Sequence, residues 1–306
     1  MDFQLSSDQA SIIDAVDRLV QRFKDKPIDA HGFVLTGEAL EREIEEGGYW
    51  DIARIPELGP VVAAYAVQRL AHSPFTAELA LSMLVRPHLP GHPIGEWPRP
   101  LAVVENGRPG RFVATAKTLI IIDGDSIGLA QPAADDVEAV ESLFAYPMGR
   151  LKRELAVQTL SADEARELRK WLRVALAAEA CGLIQAAIDS TVEHISVRKQ
   201  FGRPLAAFQA LRHRMAECAV LAGGLRWLAL RAAATGSDGD AALAAFQAQE
   251  AGTRVGYETH QMLGAMGMTL EHPLHLWTYR LKALLSELGG RGGQAQAVAL
   301  HCFGKL

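Results

Sequence analysis

Cysteine is scarce in this sequence. Three cysteines occur among 306 residues, Cys181, Cys218 and Cys302, and no two of them form a Cys-x-x-Cys pair. This spacing argues against a disulfide framework or a zinc ribbon, because both need clustered cysteines. We therefore expect reduced, buried thiols in a cytoplasmic protein.

Positive charge and long apolar runs are lacking as well. The chain has 31 Lys and Arg against 36 Asp and Glu, a net charge of -5, which leaves no broad basic surface for nucleic acid. No stretch reaches the roughly 18 uncharged apolar residues of a membrane span, and the start, MDFQLSSDQA, has no apolar signal segment. We expect a soluble globular protein without nucleic-acid or membrane partners.

The remaining pattern divides into three zones. Residues 1–92 have apolar residues at helical spacing after a capping serine, Ser6 or Ser7, with further segments near 60–71 and 75–86. A proline-rich stretch, RPHLPGHPIGEWPRP, leads into 93–160, where LAVVE, RFVATA, TLIIID and SIGLAQ predict short strands. Residues 161–306 are helical again. There Ser161 and Glu164 form a capping-box pattern, and the predicted four-helix bundle has helices near 163–197, 205–233, 240–268 and 275–287.

The stretch SVRKQFGRPLAAFQALRHRMAE, residues 196–217, interrupts the helical pattern with a basic turn. Arg198 follows the end of a predicted helix, where a cation interacts favourably with the helix dipole. Its guanidinium also suits bidentate recognition of a phosphate. Residue chemistry alone leaves both interpretations open. The apolar positions that follow predict a core face: Leu205, Phe208, Leu211, Met215 and Cys218.

Other candidate motifs have simple structural interpretations. Gly264 and Gly267, in QMLGAMGMTLEHPLHLWTYR, either end a helix or let a ligand approach the backbone. GDSIG matches a hydrolase nucleophile pattern around Ser126, but the strand-like run after the serine favours a hairpin turn. The histidines at 272 and 275 have no third ligand at zinc spacing. Two carboxylates in apolar surroundings, Glu179 and Glu287, are candidate general bases or parts of solvated helix faces.

Together these segments resemble the acyl-CoA dehydrogenase family. VRKQFGRPLAAFQALRHRMAE is similar to the family signature R-x-x-F-G-x-x-x-x-x-x-Q, and QMLGAMGMTLEHPLHLWTYR is similar to its Q-x-x-G-G-x-G segment. The resemblance is close over residues 171–280. It implies a mainly α fold with a small β domain: an N-terminal helical domain, a middle β domain and a C-terminal four-helix bundle.

The resemblance also implies a cofactor. In the family these two segments bind the pyrophosphate and adenosine end of FAD across a dimer interface. Ala265 stands where the family has a second glycine. By position, FAD contacts fall to Arg198, Phe201, Phe208, Gln209, Gln261, Gly264 and Ala265.

The sequence departs from the family where catalysis takes place. The family's glutamate base lies at one of two positions, which here hold Gly289 and Leu172. The family segments T-E-P-x-x-G-S-D and W-x-T-N-G, which hold the isoalloxazine ring, have no counterpart between residues 95 and 150. A chain that keeps contacts for a neighbour's FAD and lacks its own resembles the non-catalytic subunit of a heteromeric dehydrogenase.

The predicted function is therefore that of a subunit of an FAD-dependent acyl-CoA dehydrogenase. It would form a heterotetramer with a second dehydrogenase-like chain, act on a bulky, steroid-like acyl-CoA, and pass electrons to an electron-transfer acceptor. No catalytic or metal-binding residue is predicted in this chain. Two alternatives remain: a homomeric enzyme that uses Glu287 or Glu179 as a relocated base, and a flavin-free scaffold with the same fold.

Overall fold

The chain follows the order helices, strands, helices. A computed structural model describes residues 4–25, 33–91 and 96–304. The described α-helices are α1 (Ser7–Arg22), α2 (Glu38–Glu46), α3 (Gly59–Leu70), α4 (Ala162–Val197), α5 (Gln209–Thr235), α6 (Asp238–Leu263), α7 (Leu274–Leu284) and α8 (Gly290–Phe303).

The N-terminal helices largely follow the sequence pattern. Helix α1 begins at a capping box in which the Ser6 hydroxyl accepts from the Gln9 backbone N–H, as the sequence predicted. The helix expected near 75–86 begins later, because the backbone around Thr76 is extended and its N–H donates to the Leu35 carbonyl. A π-helical turn, Leu81–Val85, and a 3₁₀ turn, Arg86–His88, follow.

Two small sheets form the middle of the chain. The strands are β1 (Leu101–Glu105), β2 (Gly110–Arg111), β3 (Thr118–Asp123), β4 (Ser126–Ala130), β5 (Val137–Val140), β6 (Met148–Leu151) and β7 (Gln158–Thr159). One sheet has the order β1-β3-β4-β7, in which β1 and β3 are parallel and the other pairs antiparallel. The other sheet, β2-β6-β5, is antiparallel.

Two sequence predictions can be checked in this sheet region. The expected hairpin is confirmed, because Asp123 pairs with Ser126 around a turn at Gly124, and the serine begins a strand rather than a helix. The expected strand RFVATA is wrong beyond Arg111. Phe112 has φ 63° and its N–H donates to the Pro147 carbonyl, so the chain turns there instead of continuing the ladder.

The C-terminal helices pack around α4. The capping box of Ser161 and Glu164 starts this helix as predicted, and α4 contacts α3, α5, α6 and α7. One window of α4 is long and apolar enough to cross a membrane, but 89% of that window is buried inside the protein, which is typical of a central core helix. A fifth helix in this zone, α8, was not predicted, because its first turn is rich in glycine.

The packing corrects two further expectations. Cys181 and Cys218 are buried free thiols, but Cys302 is exposed. On the predicted core face of α5, Met215 and Cys218 are buried. The other three positions, Leu205, Phe208 and Leu211, are only partly buried. They lie at the beginning of α5, where the helix reaches the end of the bundle.

Candidate functional site

A two-stranded hairpin turns the chain between α4 and α5. Its strands are β8 (Lys199–Gln200) and β9 (Arg203–Pro204), and its tip holds Phe201 at φ 52° and Gly202 at φ 79°. A left-handed backbone conformation is unfavourable for phenylalanine. The Phe201 ring nevertheless lies in solvent and is 88% exposed. The hairpin therefore projects an aromatic ring outward with no core around it.

The predicted anion ligand lies at the base of this hairpin. Arg198 is the residue that ends α4, and its backbone N–H donates to the His194 carbonyl at 2.9 Å. Its side chain is exposed and makes no hydrogen bond or ion pair with any residue the structure describes. Nearby, the guanidinium of Arg203 stacks on Phe208 at 4.1 Å from the ring centroid. The Arg198 guanidinium thus keeps its full donor capacity for an external partner.

The second predicted segment follows the end of α6. Gln261 and Gly264 are exposed, and Gly264 ends the helix at φ 59° with no atom within 4 Å of the place where a Cβ would stand. Ala265 is exposed in the 3₁₀ turn that follows. Gly264 is therefore both the helix terminator and an open stretch of backbone, so the two interpretations of this glycine are compatible.

Both segments lie at the same end of the bundle. His194, one turn before Arg198, and His272, after the 264–268 turn, have ring centroids 5.3 Å apart. Gln209, the first residue of α5, is exposed and lies 3.4 Å from the His213 ring nitrogen. The donor set on this end, the Arg198 guanidinium and the side-chain amides of Gln209 and Gln261, suits the phosphates of a dinucleotide. The individual contacts assigned to FAD stay predictions.

A buried ion cluster occupies the junction of the sheets and the bundle. Its centre is Arg111, on β2, which donates to both Glu179 oxygens at 2.9 and 3.0 Å and to Glu287 at 2.5 and 3.2 Å. The Tyr146 hydroxyl donates to Glu179 at 2.6 Å. We call these four residues the Arg111 cluster. Arg111 is 8% and Glu179 3% exposed, so the cluster is closed to solvent on the bundle side.

The groups of the Arg111 cluster shift one another's pKa values. The two facing carboxylates raise the pKa of Arg111 well above its usual value, even though burial acts in the opposite direction. Burial, reinforced by the Glu179 charge, raises the pKa of the Tyr146 hydroxyl well above its usual value. The guanidinium is therefore fixed as a cation, and the phenol stays protonated as a donor. Neither carboxylate is free to take a proton from a substrate without breaking its bonds to Arg111.

The Arg111 cluster lies beside both positions at which the family carries its base. Glu287 is two residues before Gly289, and Glu179 is two helical turns after Leu172 on α4. Leu172 is 3% exposed and packed in the core. Next to the cluster the structure leaves cavities of about 90 Å³ and 10 Å³, whereas pockets for small organic ligands measure about 300–1,000 Å³. An isoalloxazine ring does not fit here without displacing Arg111.

The two glutamates were predicted as candidate bases, but Arg111, which pairs with both, was predicted only as part of a strand. Its partners are 68 and 176 positions away in sequence. The sequence signal that could have identified Arg111 as a site residue is a cation within an apolar, strand-like run. Among the described residues, no group of three His, Cys, Asp or Glu side chains could hold a metal ion.

Comparison with known proteins gives a family match for the C-terminal part of the chain. Residues 165–293, less than half of the chain, match the family described as acyl-CoA dehydrogenase, C-terminal domain. The chain is 30% identical over 205 residues to the acyl-CoA dehydrogenase FadE34 of Mycobacterium tuberculosis, a match that covers 63% of this chain and 29% of that protein. The chain therefore spans well under half the length of this curated relative.

Solved structures share the fold. A chain of the ChsE4-ChsE5 complex from Mycobacterium tuberculosis aligns with a TM-score of 0.75 at 22% identity, covering 100% of both chains. A chain of the Tcur3481-Tcur3483 steroid ACAD G363A variant aligns with a TM-score of 0.75 at 19% identity, covering 97% of this chain and 98% of that one. The mainly α fold with its small sheet region is confirmed.

Proposed function

We propose that this chain is the non-catalytic subunit of a heteromeric, FAD-dependent acyl-CoA dehydrogenase. In this proposal it binds the pyrophosphate and adenosine end of a flavin whose ring is held by a partner subunit. The partner also supplies the general base. The complex oxidises an acyl-CoA to a 2,3-enoyl-CoA and passes the electrons to an electron-transfer acceptor.

One contrast carries this proposal. The part of the chain beside the family's base positions is filled by the Arg111 cluster. The turn between α4 and α5 that carries Arg198, which we call the corner, is open and exposed. A complete enzyme needs room for a flavin ring and an acyl chain, and a free carboxylate beside them. A chain that only supports its neighbour's cofactor needs the corner alone.

The residues of this chain then have binding roles. Arg198 would hold the pyrophosphate through its planar guanidinium, and Gln261 with the backbone at Gly264 would contact the distal half of the cofactor. Phe201 and Phe208 would pack against the partner or the cofactor. FAD, when bound, supplies a two-electron acceptor for oxidation of the acyl-CoA.

The proposed substrate is a steroid-like acyl-CoA. The Tcur3481-Tcur3483 protein, which shares the fold, is described as a steroid ACAD. The chemistry of this chain adds no selection among acyl groups, because the cavities beside the Arg111 cluster are too small to admit one.

The homomeric alternative requires Glu179 or Glu287 to act as base. Both carboxylates are bound by Arg111, and Glu179 also accepts from Tyr146. Freeing either one would leave a buried guanidinium partly unpaired, which is costly. This geometry disfavours a relocated base in the isolated chain.

Flavin stoichiometry tests the proposal. The chain purified alone should be colourless and retain no FAD. Coexpressed with a dehydrogenase-like chain encoded by the adjacent gene, it should form a complex that contains one FAD for each pair of unlike chains. One FAD per copy of this chain, measured by absorbance against protein mass, would contradict the proposal. A stable, colourless oligomer even with that partner would favour the flavin-free scaffold.

A substitution at the corner tests the assigned role of Arg198. Arg198→Ala should weaken FAD binding by the complex about 10- to 100-fold, since a charge-assisted hydrogen bond contributes roughly 1.5–3 kcal/mol. Arg198→Lys should recover only part of the affinity, because a point charge cannot replace a planar fork. Arg231→Ala is the matched control, as it removes an arginine from the exposed side of α5 that pairs with Asp240. Equal FAD affinity in both alanine variants would return Arg198 to helix capping.

A further inference from the structure

A polar cleft of about 390 Å³ lies between α1, α3, α4 and α5. It shares no residue with the Arg111 cluster or with the segments assigned to FAD. Its walls combine charged side chains with small apolar ones, and its volume falls within the range of pockets that hold small organic ligands. The function proposed above makes no use of it.

One wall carries a buried amide without a partner. Gln68, on α3, lines the cleft and is 8% exposed, and its Nε2 has no hydrogen-bond partner among the described residues. Buried amide groups are nearly always paired, so an unpaired one calls for a ligand or an ordered water. Gly182 holds α3 and α4 together at this point, because a Cβ there would lie 2.3 Å from the Gln68 carbonyl oxygen. The close packing of α3 and α4 thus fixes the backbone of Gln68.

A cation that forms no ion pair with any described residue lines the same cleft. The guanidinium of Arg226, on α5, stacks on Tyr65 at 5.6 Å and on Trp227 at 5.4 Å from the ring centroids. Arg226 makes no ion pair with any residue in the described part of the chain. The exposed guanidinium therefore lies over Tyr65, which is on α3 one helical turn before Gln68.

The carboxylates of the cleft are already engaged. Asp17 lies 3.3 Å from Arg69, and Asp189 binds the His72 ring at 3.0 Å and the Gln185 amide at 2.8 Å. Burial and its two hydrogen bonds act in opposite directions on Asp189, and the pKa of this carboxyl is lowered overall. Asp17 is paired with Arg69, and Asp189 with His72 and Gln185, so among the described groups of the lining Arg226 is the cation available to one external negative charge.

Apart from Gln21, the remaining lining is apolar and small: Val20, Cys181, Gly182, Ala219, Ala222 and Gly223. Such a surface accommodates a short hydrocarbon chain and offers it no hydrogen bond. The cleft therefore combines donors for one anionic head with an apolar floor.

We propose that this cleft binds a small organic monocarboxylate, whose carboxylate accepts hydrogen bonds from Arg226 and Gln68 and whose short apolar chain covers Val20 and Ala222. The site is independent of flavin and of the partner subunit. Arg226 supplies most of the affinity, and Gln68 fixes the orientation of the head group.

The test uses the full-length chain and four probes: hexanoate, butyrate, hexanamide and inorganic phosphate. Titration followed by ligand-observed NMR should show that hexanoate binds more tightly than butyrate, and that the neutral amide binds at least about 10-fold more weakly, as loss of a charge-assisted bond implies. Binding of phosphate in preference to hexanoate would overturn the assignment of a monocarboxylate, and so would equal binding of hexanoate and hexanamide.

Variants locate the site. Arg226→Gln should weaken hexanoate binding about 10- to 100-fold, and Gln68→Glu should abolish it by placing a third carboxylate in the lining. Arg231→Gln, five residues further along α5 and outside the cleft, is the control and should change nothing. Far-UV circular dichroism establishes that each variant is folded. Hexanoate binding that survives both cleft variants in folded protein would refute the proposal, and the outcome is independent of flavin stoichiometry.

Discussion

Replacement of Arg111 by methionine tests whether the Arg111 cluster is the buried core of the junction between sheets and bundle. Methionine keeps much of the length of arginine and removes its charge. Glu179 and Glu287 would then be buried without a counter-ion. Removal of one partner from a buried ion pair typically costs about 3–5 kcal/mol, and we expect the free energy of unfolding to fall by that amount.

The chain offers a control with the same contact and different burial. Arg150, on β6, donates through Nε to Glu138 at 2.5 Å, the same distance as the contact between Arg111 and Glu287. The side chains of this surface pair are 58% and 40% exposed, against 9% and 25% for Arg111 and Glu287. Solvent screens an exposed pair, so Arg150→Met should cost about 0–1 kcal/mol. The difference between the two variants measures the effect of burial together with that of the second carboxylate bound by Arg111.

Urea unfolding, followed by tryptophan fluorescence and by far-UV circular dichroism, measures both losses. Adding Glu179→Gln and Glu287→Gln to Arg111→Met should recover most of the stability, because no uncompensated charge remains. The loss in Arg111→Met should also shrink as the pH falls. Burial raises the pKa of the Glu287 carboxyl above its usual value, and without the cation that opposes this rise, protonation at lower pH relieves the destabilisation. A loss no larger than that of Arg150→Met would refute the reasoning.

Three further outcomes are expected. Glu179→Gln and Glu287→Gln should each leave turnover of the complex within a few-fold, because loss of a true general base costs about 10²–10⁴-fold in rate. Burial lowers the pKa of His88 to about 4, so its contribution to the free energy of unfolding should be lost as the pH falls from about 6.5 to about 4. His88→Phe should keep the stack on Trp171, whose ring centroid is 3.9 Å away, and flatten that pH dependence. FAD lost from the complex by dialysis should be regained less well by Arg198→Ala than by the unaltered complex.

Each of these outcomes has a result that would contradict it. A fall of two orders of magnitude in turnover for either glutamine variant, with the complex intact, would mean that this chain carries its own base. An unchanged pH dependence of unfolding in His88→Phe would remove that histidine as the titrating group. Equal recovery of FAD by the Arg198→Ala complex would leave the corner without a role in cofactor binding.

Local sequence signals predicted local structure well. The pair Ser161 and Glu164 marked the start of α4, and Asp123 to Ser126 marked a hairpin. Both signals act over three residues and depend on no distant contact. The five-residue π-helical turn at Leu81–Val85 had no such signal, and the extended backbone before it depends on a hydrogen bond from Thr76 to Leu35, 41 positions away.

The same distinction explains what was missed in the candidate site. The corner around Arg198 is continuous in sequence, so a signature could describe it. The Arg111 cluster joins a strand, a helix and a turn that are far apart in sequence, and only the fold brings them together. Glu179 and Glu287 were therefore assigned as bases or as solvated residues, and the structure shows them paired.

The buried charged groups of this chain and the groups proposed to bind FAD lie in different parts of the structure. At the junction of the sheets and the bundle, the buried charges of the Arg111 cluster pair with one another, and an unpaired buried charge there would be destabilising. The corner gains nothing from its own chain, because Phe201 is 88% exposed in a left-handed conformation and Arg198 has no partner among the described residues. Such a surface becomes favourable only in a complex, so loss of the partner should cost this chain little stability and all of its proposed role.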